Sequence, residues 1–269
     1  MIWSFEMPKP YLSSSRLETF WRCGEQYRRR YEERHIVPPG IALLVGTGLH
    51  VGSETNFRQK IESHVDLPID DVIDAAVAGF ETRLHKDSFE LTSEEQSIGA
   101  KKIIAQAKDQ VAALAEIHAI EQAPDYQPIA VEAVTLIELP GTTHDLLTVT
   151  DLRDDMGRVV DLKTSGAAKT QHEVDASIQL TAYAAAYRAD YGVDPTEVRL
   201  DVLKKTKRVD RQILKSTRGE ADYLVLANRI DATLAAINAG IFTPTSPISW
   251  QCSERWCGYA RTCPYFAKK

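Results

Sequence analysis

Two carboxylates and a lysine lie close together in the sequence, on either side of a predicted turn. Asp151 precedes Asp161 by ten residues, and Lys163 follows Asp161 by two. The intervening residues 154–157, Asp-Asp-Met-Gly, are typical of a turn, so the flanking segments are predicted to pair as antiparallel strands. Depending on the register, Asp151 then lies opposite residue 160 or Asp161, with Cβ atoms roughly 4.5–5.5 Å apart. Lys163 shares the strand face of Asp161 because alternate residues point the same way.

This set of side chains is suited to the hydrolysis of phosphodiester bonds. Carboxylates are preferred ligands of Mg²⁺ and Mn²⁺, and the backbone carbonyl of Leu162 is a further candidate ligand. The ammonium group of Lys163 can hold an attacking water or stabilise charge on the phosphate. The alternative is an exposed turn with scattered acids, since residues 154 and 155 are also aspartates. Apolar residues around Asp161 and Lys163 favour the catalytic interpretation.

The order of predicted elements indicates an α/β protein, more narrowly an α+β mixed sheet flanked by helices. Predicted helices span 15–34, 70–86, 93–121, 174–191 and 219–239, and a further helix follows Gly48 and carries His50. Predicted strands span 129–139, 146–153, 158–164, 198–202 and 208–214. The helices that precede the strands form a predicted lobe on the N-terminal side of the sheet.

The four cysteines predict a metal or cluster site. Cys23 stands alone, whereas Cys252, Cys257 and Cys263 follow a Cys-x4-Cys-x5-Cys pattern. A cytosolic chain would not keep them as disulfides. Zinc ribbons use two close pairs, which this spacing matches poorly, but spacing alone leaves zinc and a four-thiolate iron–sulfur cluster open. Four separate buried thiols are the remaining alternative.

Charge is distributed unevenly along the chain. The net charge of −6 argues against a generally basic nucleic-acid-binding coat, yet residues 203–218 contain seven basic residues and one acid. The candidate phosphate contacts in this segment are Lys204, Lys205, Lys207, Arg208 and Arg211; a solvated hairpin is the alternative. The chain has no apolar run of 18 residues and no secretory signal at its start. We therefore expect a cytoplasmic protein without a membrane partner.

Taken in order, these features resemble the RecB-like branch of the PD-(D/E)XK nuclease superfamily, above all the small CRISPR-associated iron–sulfur exonucleases and their phage relatives. The matching segments are the opening helix 11–23 with its cysteine, Gly46-Thr47-Gly48-Leu49-His50, Asp151 with Asp161-Leu162-Lys163, Gln179-Leu180-Thr181-Ala182-Tyr183, and the cysteine trio. Two departures are Gly24, where many relatives have proline, and the four-residue gap that opens the trio.

The resemblance implies a restriction-endonuclease-like core with an N-terminal helical lobe and a C-terminal iron–sulfur tail. Within a single nuclease unit, 1–269, the implied parts are N-terminal helices (1–60), a helical lobe (61–126), a nuclease core (127–240) and the iron–sulfur tail (241–269). A [4Fe-4S] cluster is implied at Cys23, Cys252, Cys257 and Cys263. His50 is implied as a further ligand of the catalytic metal. Gln179 and Tyr183, four residues apart on one helix face, are implied to contact DNA or brace the lysine. Apart from the resemblance, Glu132 lies on an earlier predicted strand from which it could approach the metal, and it is interpreted as structural.

The implied activity is Mg²⁺- or Mn²⁺-dependent exonuclease cleavage of single-stranded DNA, from 5′ to 3′, with endonuclease activity a further option. Expected partners are single-stranded DNA and a recombination, helicase or CRISPR-adaptation protein. The expected location is the host cytoplasm if the chain is phage-encoded. The alternative function is a catalytically silent iron–sulfur module that binds DNA within a recombination or CRISPR-adaptation complex.

Overall fold

The computed structural model describes residues 9–86, 88–206, 208–254 and 256–266. These residues form two compact units. The central unit comprises residues 38–134 and 149–218, and the terminal unit comprises the described parts of 1–37, 135–148 and 219–269. The helices of the described residues are α1 (Ser14–Arg22), α2 (Gly24–Tyr27), α3 (Ile41–Ser63), α4 (Ile69–Lys86), α5 (Ser93–Ile98), α6 (Ala100–Ile117), α7 (Gln171–Asp175), α8 (Ile178–Tyr191) and α9 (Glu220–Asn238). The strands are β1 (Tyr11–Ser13), β2 (Pro128–Ile137), β3 (Asp145–Asp154), β4 (Arg158–Ser165), β5 (Glu197–Lys204) and β6 (Asp210–Ser216).

The central unit contains a mixed β-sheet. β3 and β4 pair antiparallel, β4 and β5 pair parallel, and β5 and β6 pair antiparallel. The parallel pair requires a crossover connection, which α7 and α8 provide, and α8 packs on both β4 and β5. The predicted α/β class, with a mixed sheet flanked by helices, is confirmed.

A helical layer within the central unit positions the helix that carries His50. Helices α3, α4 and α6 pack together around a shared apolar core. Gly48 and Gly52 allow α3 to approach α4 closely, because a Cβ atom on either residue would come within 2.9 Å of atoms of Ala76. Gly48 of the predicted histidine motif therefore serves helix packing, and His50 projects from the same helix.

Two predicted helix boundaries are wrong for local reasons. The segment Gly46–His50 does not precede a helix but lies inside α3, which begins at Ile41 after Gly40. The single helix predicted over 93–121 is broken at Gly99, whose φ of 98° is incompatible with a right-handed helix. Its C-terminal end, His118–Gln122, adopts a π-helical turn.

Two further predicted helices, 15–34 and 174–191, are each divided, and a serine caps one part of each. α1 begins at Ser14 rather than Ser15, since the Ser13 side chain accepts a hydrogen bond from the amide of Arg16. The chain then leaves the helix at Cys23, which has an extended φ of −166°. Similarly, the helix predicted over 174–191 is two helices, because Ser177 caps the start of α8.

The terminal unit joins the two ends of the chain. β1 pairs parallel with the first residues of β3, with Leu12 opposite Leu146. The indole nitrogen of Trp21 in α1 donates to Thr233 Oγ1 of α9 at 2.8 Å, and Arg229 lies over the Trp21 ring at 3.8 Å. In the part of the chain that the structure describes, no helix combines the length and apolarity that crossing a membrane requires.

Candidate active site

The β3–β4 hairpin brings together the two carboxylates and the lysine predicted from the sequence. Leu152 lies opposite Val160 and Arg153 opposite Val159, and this register, extended by one residue, sets Asp151 against Asp161. The amide of Leu162 donates to Asp151 Oδ2 at 2.8 Å. Lys163 Nζ lies 2.8 Å from Asp161 Oδ1. Of the two registers left open by the sequence, the one that pairs Asp151 with Asp161 is present.

Alternation along β4 separates the apolar side chains from the polar ones. Val160 and Leu162 join an apolar cluster with Phe57. Because successive strand residues point to opposite faces, Asp161 and Lys163 share the other face. Burial of Val160 and Leu162 thereby holds the two polar groups in position.

His50 and Glu132 complete a group of possible metal ligands around Asp151. His50 Nδ1 lies 3.9 Å from Glu132 Oε1 and 4.0 Å from Asp151 Oδ2. One donor atom from each of these three residues lies within 4.8 Å of the other two. The sequence placed His50 beside Asp151 but interpreted Glu132 as structural, and the geometry instead groups Glu132 with these metal-ligand candidates.

The backbone conformation of Glu132 explains why its sequence context favoured a structural role. Its φ is 49°, in the left-handed region that a non-glycine residue rarely adopts. β2 does not alternate here, since Val131 is buried, Ala133 is half-buried and Val134 is exposed. Such strain costs about 1–3 kcal/mol and concentrates at functional sites. The available signal was a lone acid within the apolar segment 129–137.

Burial dominates the electrostatics of the two aspartates. Burial raises the pKa of Asp161 to about 6, and the charge of Asp151 adds to this effect while Lys163 opposes it. Burial also raises the pKa of Asp151, against the lowering influence of His50 and Lys163. Burial alone would lower the pKa of His50, but its neighbours Glu132 and Asp151 outweigh that effect and raise it. The site therefore concentrates negative charge where water is excluded, which favours a bound cation.

A divalent cation fits this donor set. Ligand atoms about 2.1 Å from Mg²⁺ can be up to about 4.2 Å apart across the ion, and the 3.9 and 4.0 Å separations from His50 Nδ1 lie within that limit. Among the described residues, no donor makes a hydrogen bond of good geometry to the buried Oδ1 of Asp161, although Lys163 is its ion-pair partner. That oxygen therefore retains capacity to bind a cation.

Gln179 and Tyr183 lie together on α8. Gln179 Nε2 donates to the Tyr183 hydroxyl at 3.0 Å. Burial raises the pKa of Tyr183 well above its ordinary value, and the charges of Asp151 and Asp161 raise it further. The second influence means that the phenol is close to the carboxylates, so the two predicted residues neighbour the acidic site.

The basic residues of 203–218 do not form one uniform surface. Lys204 is paired with Asp210 at 2.5 Å. Lys205 is half-buried, and burial lowers its pKa. Arg208 is exposed, and Lys207 lies outside the described residues.

Arg211 differs from the other basic residues in this segment. Its side chain is largely buried and pairs at 2.6 Å with both Asp201 and Asp125. These two carboxylates use the guanidinium group, which favours a structural role for Arg211 over contact with phosphate.

The four cysteines line one cavity of the terminal unit, with a volume of about 100 Å³. The amide of Thr245 donates to Cys23 Sγ at 3.4 Å. Burial raises the pKa of Cys257, and the other three cysteines raise it further while an amide hydrogen bond from Tyr259 lowers it. The chain ends thus converge so that four sulfur atoms and backbone amides surround one space.

The spacing of the sulfur atoms is wide for a single metal ion. Four thiolates around one zinc ion, each at 2.3 Å, would be about 3.8 Å apart. Among the described residues, no three cysteine sulfurs lie within 4.8 Å of one another. In this arrangement the described thiols do not close around a single zinc ion.

Comparisons with known proteins agree with this geometry. A sequence model of the PD-(D/E)XK nuclease superfamily matches residues 11–264. The solved structure of a candidate exonuclease from Eubacterium rectale is similar with a TM-score of 0.59 and 15% identity, over 99% of this chain and 93% of that one. At this identity the likeness shows the fold alone.

A second solved structure, of LHK-Exo in complex with dAMP, has a TM-score of 0.29 and 13% identity over 74% of this chain and 91% of that one. A sequence search of curated proteins finds no match.

Proposed function

Because the chain belongs to the PD-(D/E)XK nuclease superfamily, we propose that it is a metal-dependent exonuclease that hydrolyses single-stranded DNA from 5′ to 3′. The observation that carries this proposal is the convergence of His50, Glu132 and Asp151 on one point, beside the Asp161–Lys163 pair.

The cation would be held by His50, Glu132, Asp151 and Asp161, together with the carbonyl of Leu162. Carboxylate oxygens suit Mg²⁺, and an imidazole among them suits Mn²⁺. When bound, such an ion polarises the scissile phosphate and lowers the pKa of a coordinated water. The amide of Leu162 orients Asp151 through the 2.8 Å hydrogen bond, so the ligand is fixed before the cation arrives.

Lys163 is the proposed catalytic cation. Asp161 keeps its ammonium on the polar face of β4, where it can hold the attacking water and stabilise charge that develops on the phosphate. Tyr183 and Gln179 would bind a neighbouring phosphate or base through the hydroxyl and amide groups that already contact each other. The proposed contacts to the DNA backbone are Lys204, Lys205, Lys207 and Arg208. Arg211, which pairs with Asp201 and Asp125, is proposed to stabilise the fold instead.

The cysteine cavity is the proposed site of a [4Fe-4S] cluster. Supporting features are four thiols around one space, a separation too wide for one zinc ion, and an amide that donates to Cys23 Sγ. Hydrogen bonds to cluster sulfurs are a general feature of such sites. A cluster there would join residue 23 to residues 252–263 and so contribute directly to folding. Purified protein should be brown and contain about four irons per chain, whereas colourless protein with one zinc would contradict the cluster.

The test of the proposed activity uses labelled DNA strands with different ends. We expect Mg²⁺ or Mn²⁺ to support the stepwise release of nucleotides from linear single strands, and a chelator to abolish it. Blocking the 5′ end should stop release, and a circular single strand should stay intact. Matched proteins carrying Asp161→Asn or Lys163→Met should be folded and inactive. Cleavage at the parent rate by either variant would contradict the catalytic assignment.

Cleavage of the circular strand would instead indicate an endonuclease.

Glu132→Gln tests the candidate metal ligand that the sequence analysis interpreted as structural. The substitution should raise the Mn²⁺ concentration needed for half-maximal activity by at least about tenfold. The cleavage rate at saturating Mn²⁺ should change little. An unchanged Mn²⁺ requirement would return Glu132 to a structural role.

A further inference from the structure

The C-terminal segment of the terminal unit exposes large aromatic side chains. The exposed fractions are 66% for Trp250, 59% for Trp256 and 50% for Tyr265. All three line the cavity that the cysteines also line. We call these three residues the tryptophan face. Clustered apolar groups at a protein surface mark interaction sites more often than scattered ones do, so this face requires an explanation that the proposed catalytic site does not supply.

The two indole rings meet edge to face and are largely exposed to solvent. The centroids of Trp250 and Trp256 are 5.4 Å apart and the rings are 86° to each other, edge to face. Such a pair covers one face of one ring only, unlike a parallel stack. Their high exposure shows that solvent reaches much of the remaining ring surface. A flat, apolar ligand can therefore stack on the exposed ring surface.

Positive charge accompanies these aromatic groups. Arg22, which is exposed and lines the same cavity, donates to Gln26 Oε1 at 3.0 Å and to Thr19 Oγ1 at 3.5 Å. Both of these acceptors are neutral, so the guanidinium charge is not neutralised by them.

The acid nearest to Arg22 along the cavity lining has other partners. Glu25 is buried and pairs with Arg28 at 2.8 Å and with Arg29 at 2.7 Å. Burial of Glu25 keeps its negative charge away from an approaching ligand. At the cavity rim, Arg22 can therefore bind an anionic ligand, whereas Glu25 is paired with Arg28 and Arg29.

We propose that the tryptophan face is a stacking site for the bases of single-stranded DNA, with Arg22 binding an adjacent phosphate. Single-stranded nucleic acid combines the two properties that this surface matches, namely flat apolar bases and an anionic backbone. The inference rests on the proposed function for its choice of polyanion, but it assigns residues outside the catalytic site. A second copy of the chain, or an apolar protein segment, would match the rings but would leave Arg22 without an anionic partner.

Binding is measured on the full chain carrying Asp161→Asn, so that the strand is not degraded. The probe is a fluorescein-labelled 15-mer of oligothymidylate, titrated by anisotropy in chelator. Trp250→Ala with Trp256→Ala should weaken binding about 5- to 100-fold, the range for loss of a base–aromatic stack. Trp250→Phe with Trp256→Phe keeps aromatic rings and should stay within about threefold of the background protein. Leu224→Ala, which removes a similarly exposed side chain from α9, should leave binding unchanged.

A double alanine variant that binds as tightly as the background protein overturns the proposal. If that variant does not fold, photocrosslinking of the background protein to bromodeoxyuridine-substituted strand gives the answer without any change to the tryptophans. Crosslinks at Trp250 or Trp256 support the stacking site, and crosslinks confined to other residues overturn it. A dimer that the alanine substitutions dissociate, with DNA affinity unchanged, would assign the face to a second copy.

Failure of this inference can be told apart from failure of the proposed function. Nuclease activity is measured on the unsubstituted protein, whereas stacking is measured by binding to the inactive one. Tryptophan-dependent binding without any cleavage by the unsubstituted protein would remove the exonuclease proposal and leave the stacking site. Normal cleavage together with tryptophan-independent binding would do the reverse.

Discussion

Replacing Asp161 by asparagine should stabilise the metal-free protein while it abolishes activity. Asp161 has 1% of its surface exposed, and burial is the main reason that its pKa rises from 3.8 to about 6. A tenfold change in proton affinity corresponds to about 1.4 kcal/mol. The ionised carboxylate therefore destabilises the folded state by about 3 kcal/mol at pH 7. Asparagine has nearly the same shape and carries no charge, so this penalty disappears.

The pH dependence follows from the raised pKa. As the pH falls from 7, the folded protein takes up a proton at Asp161 near pH 6, before the unfolded chain does so near pH 3.8. The penalty carried by the parent protein therefore shrinks as the solution becomes more acidic. The stability difference between the variant and the parent should decrease from about 3 kcal/mol at pH 7 to roughly half of that at pH 5, and to less than about 1 kcal/mol at pH 4.

The assay is urea unfolding in excess chelator at these pH values. Asp155→Asn is the matched control, because Asp155 is exposed in the turn of the same hairpin and should change stability by less than about 0.5 kcal/mol. Saturating Mg²⁺ should then stabilise the parent, by about 2.7 kcal/mol at a hundred times the dissociation constant, and stabilise the variant less. Equal unfolding free energies of the variant and the parent at pH 7 in chelator would refute the conclusion that the buried, ionised Asp161 destabilises the metal-free protein.

Three further substitutions test separate parts of the structure. Lys163→Met should reduce cleavage at least about 100-fold with less than about 1 kcal/mol change in unfolding free energy, since the lysine side chain is 38% exposed; a large loss of stability would indicate a structural lysine. Gly52→Ala should destabilise by about 1–2 kcal/mol in thermal unfolding, because the new Cβ would lie 2.8 Å from Ala76 Cβ. Gly40→Ala should not, because its new Cβ would lie 3.9 Å from the nearest atom, the Glu90 carbonyl oxygen. Arg218→Met should destabilise by about 2–4 kcal/mol in urea unfolding, because the buried guanidinium donates to Thr181 Oγ1 at 2.8 Å and to the Val174 carbonyl at 2.7 Å; an unchanged midpoint would contradict this.

Most of the central sheet could be predicted because its strands carry a clear local signal. The turn around residues 154–157 fixed the partners of β3 and β4, and the alternation of apolar and polar residues in β4 predicted the shared face of Asp161 and Lys163. Such patterns depend on neighbours in the sequence, and the sheet preserves them. The exact opposition of Asp151 and Asp161 depended on the geometry of the turn, which the sequence alone left between two registers.

Features that depend on the backbone or on distant partners could not be predicted. Glu132, which the sequence analysis interpreted as structural, adopts a left-handed φ of 49° that interrupts the alternation of β2. Arg211 was grouped with basic neighbours by sequence, but the buried Asp201 and the distant Asp125 engage its charge. In both cases the deciding contact comes from another segment of the chain, so charge and spacing within the local segment carry no information about it.

The most direct test of the central claim is the binding of Mn²⁺ to protein from which a chelator has removed bound metal. Binding is monitored as the decrease of the electron paramagnetic resonance signal of free Mn²⁺. Asp151 is the residue to replace, because it belongs to the ligand group with His50 and Glu132 and also pairs across the hairpin with Asp161. The parent should bind Mn²⁺ at this site, and Asp151→Asn should lose that binding while Asp155→Asn keeps it. Equal Mn²⁺ binding by the parent and the Asp151 variant would contradict a catalytic metal centre on this face of the sheet.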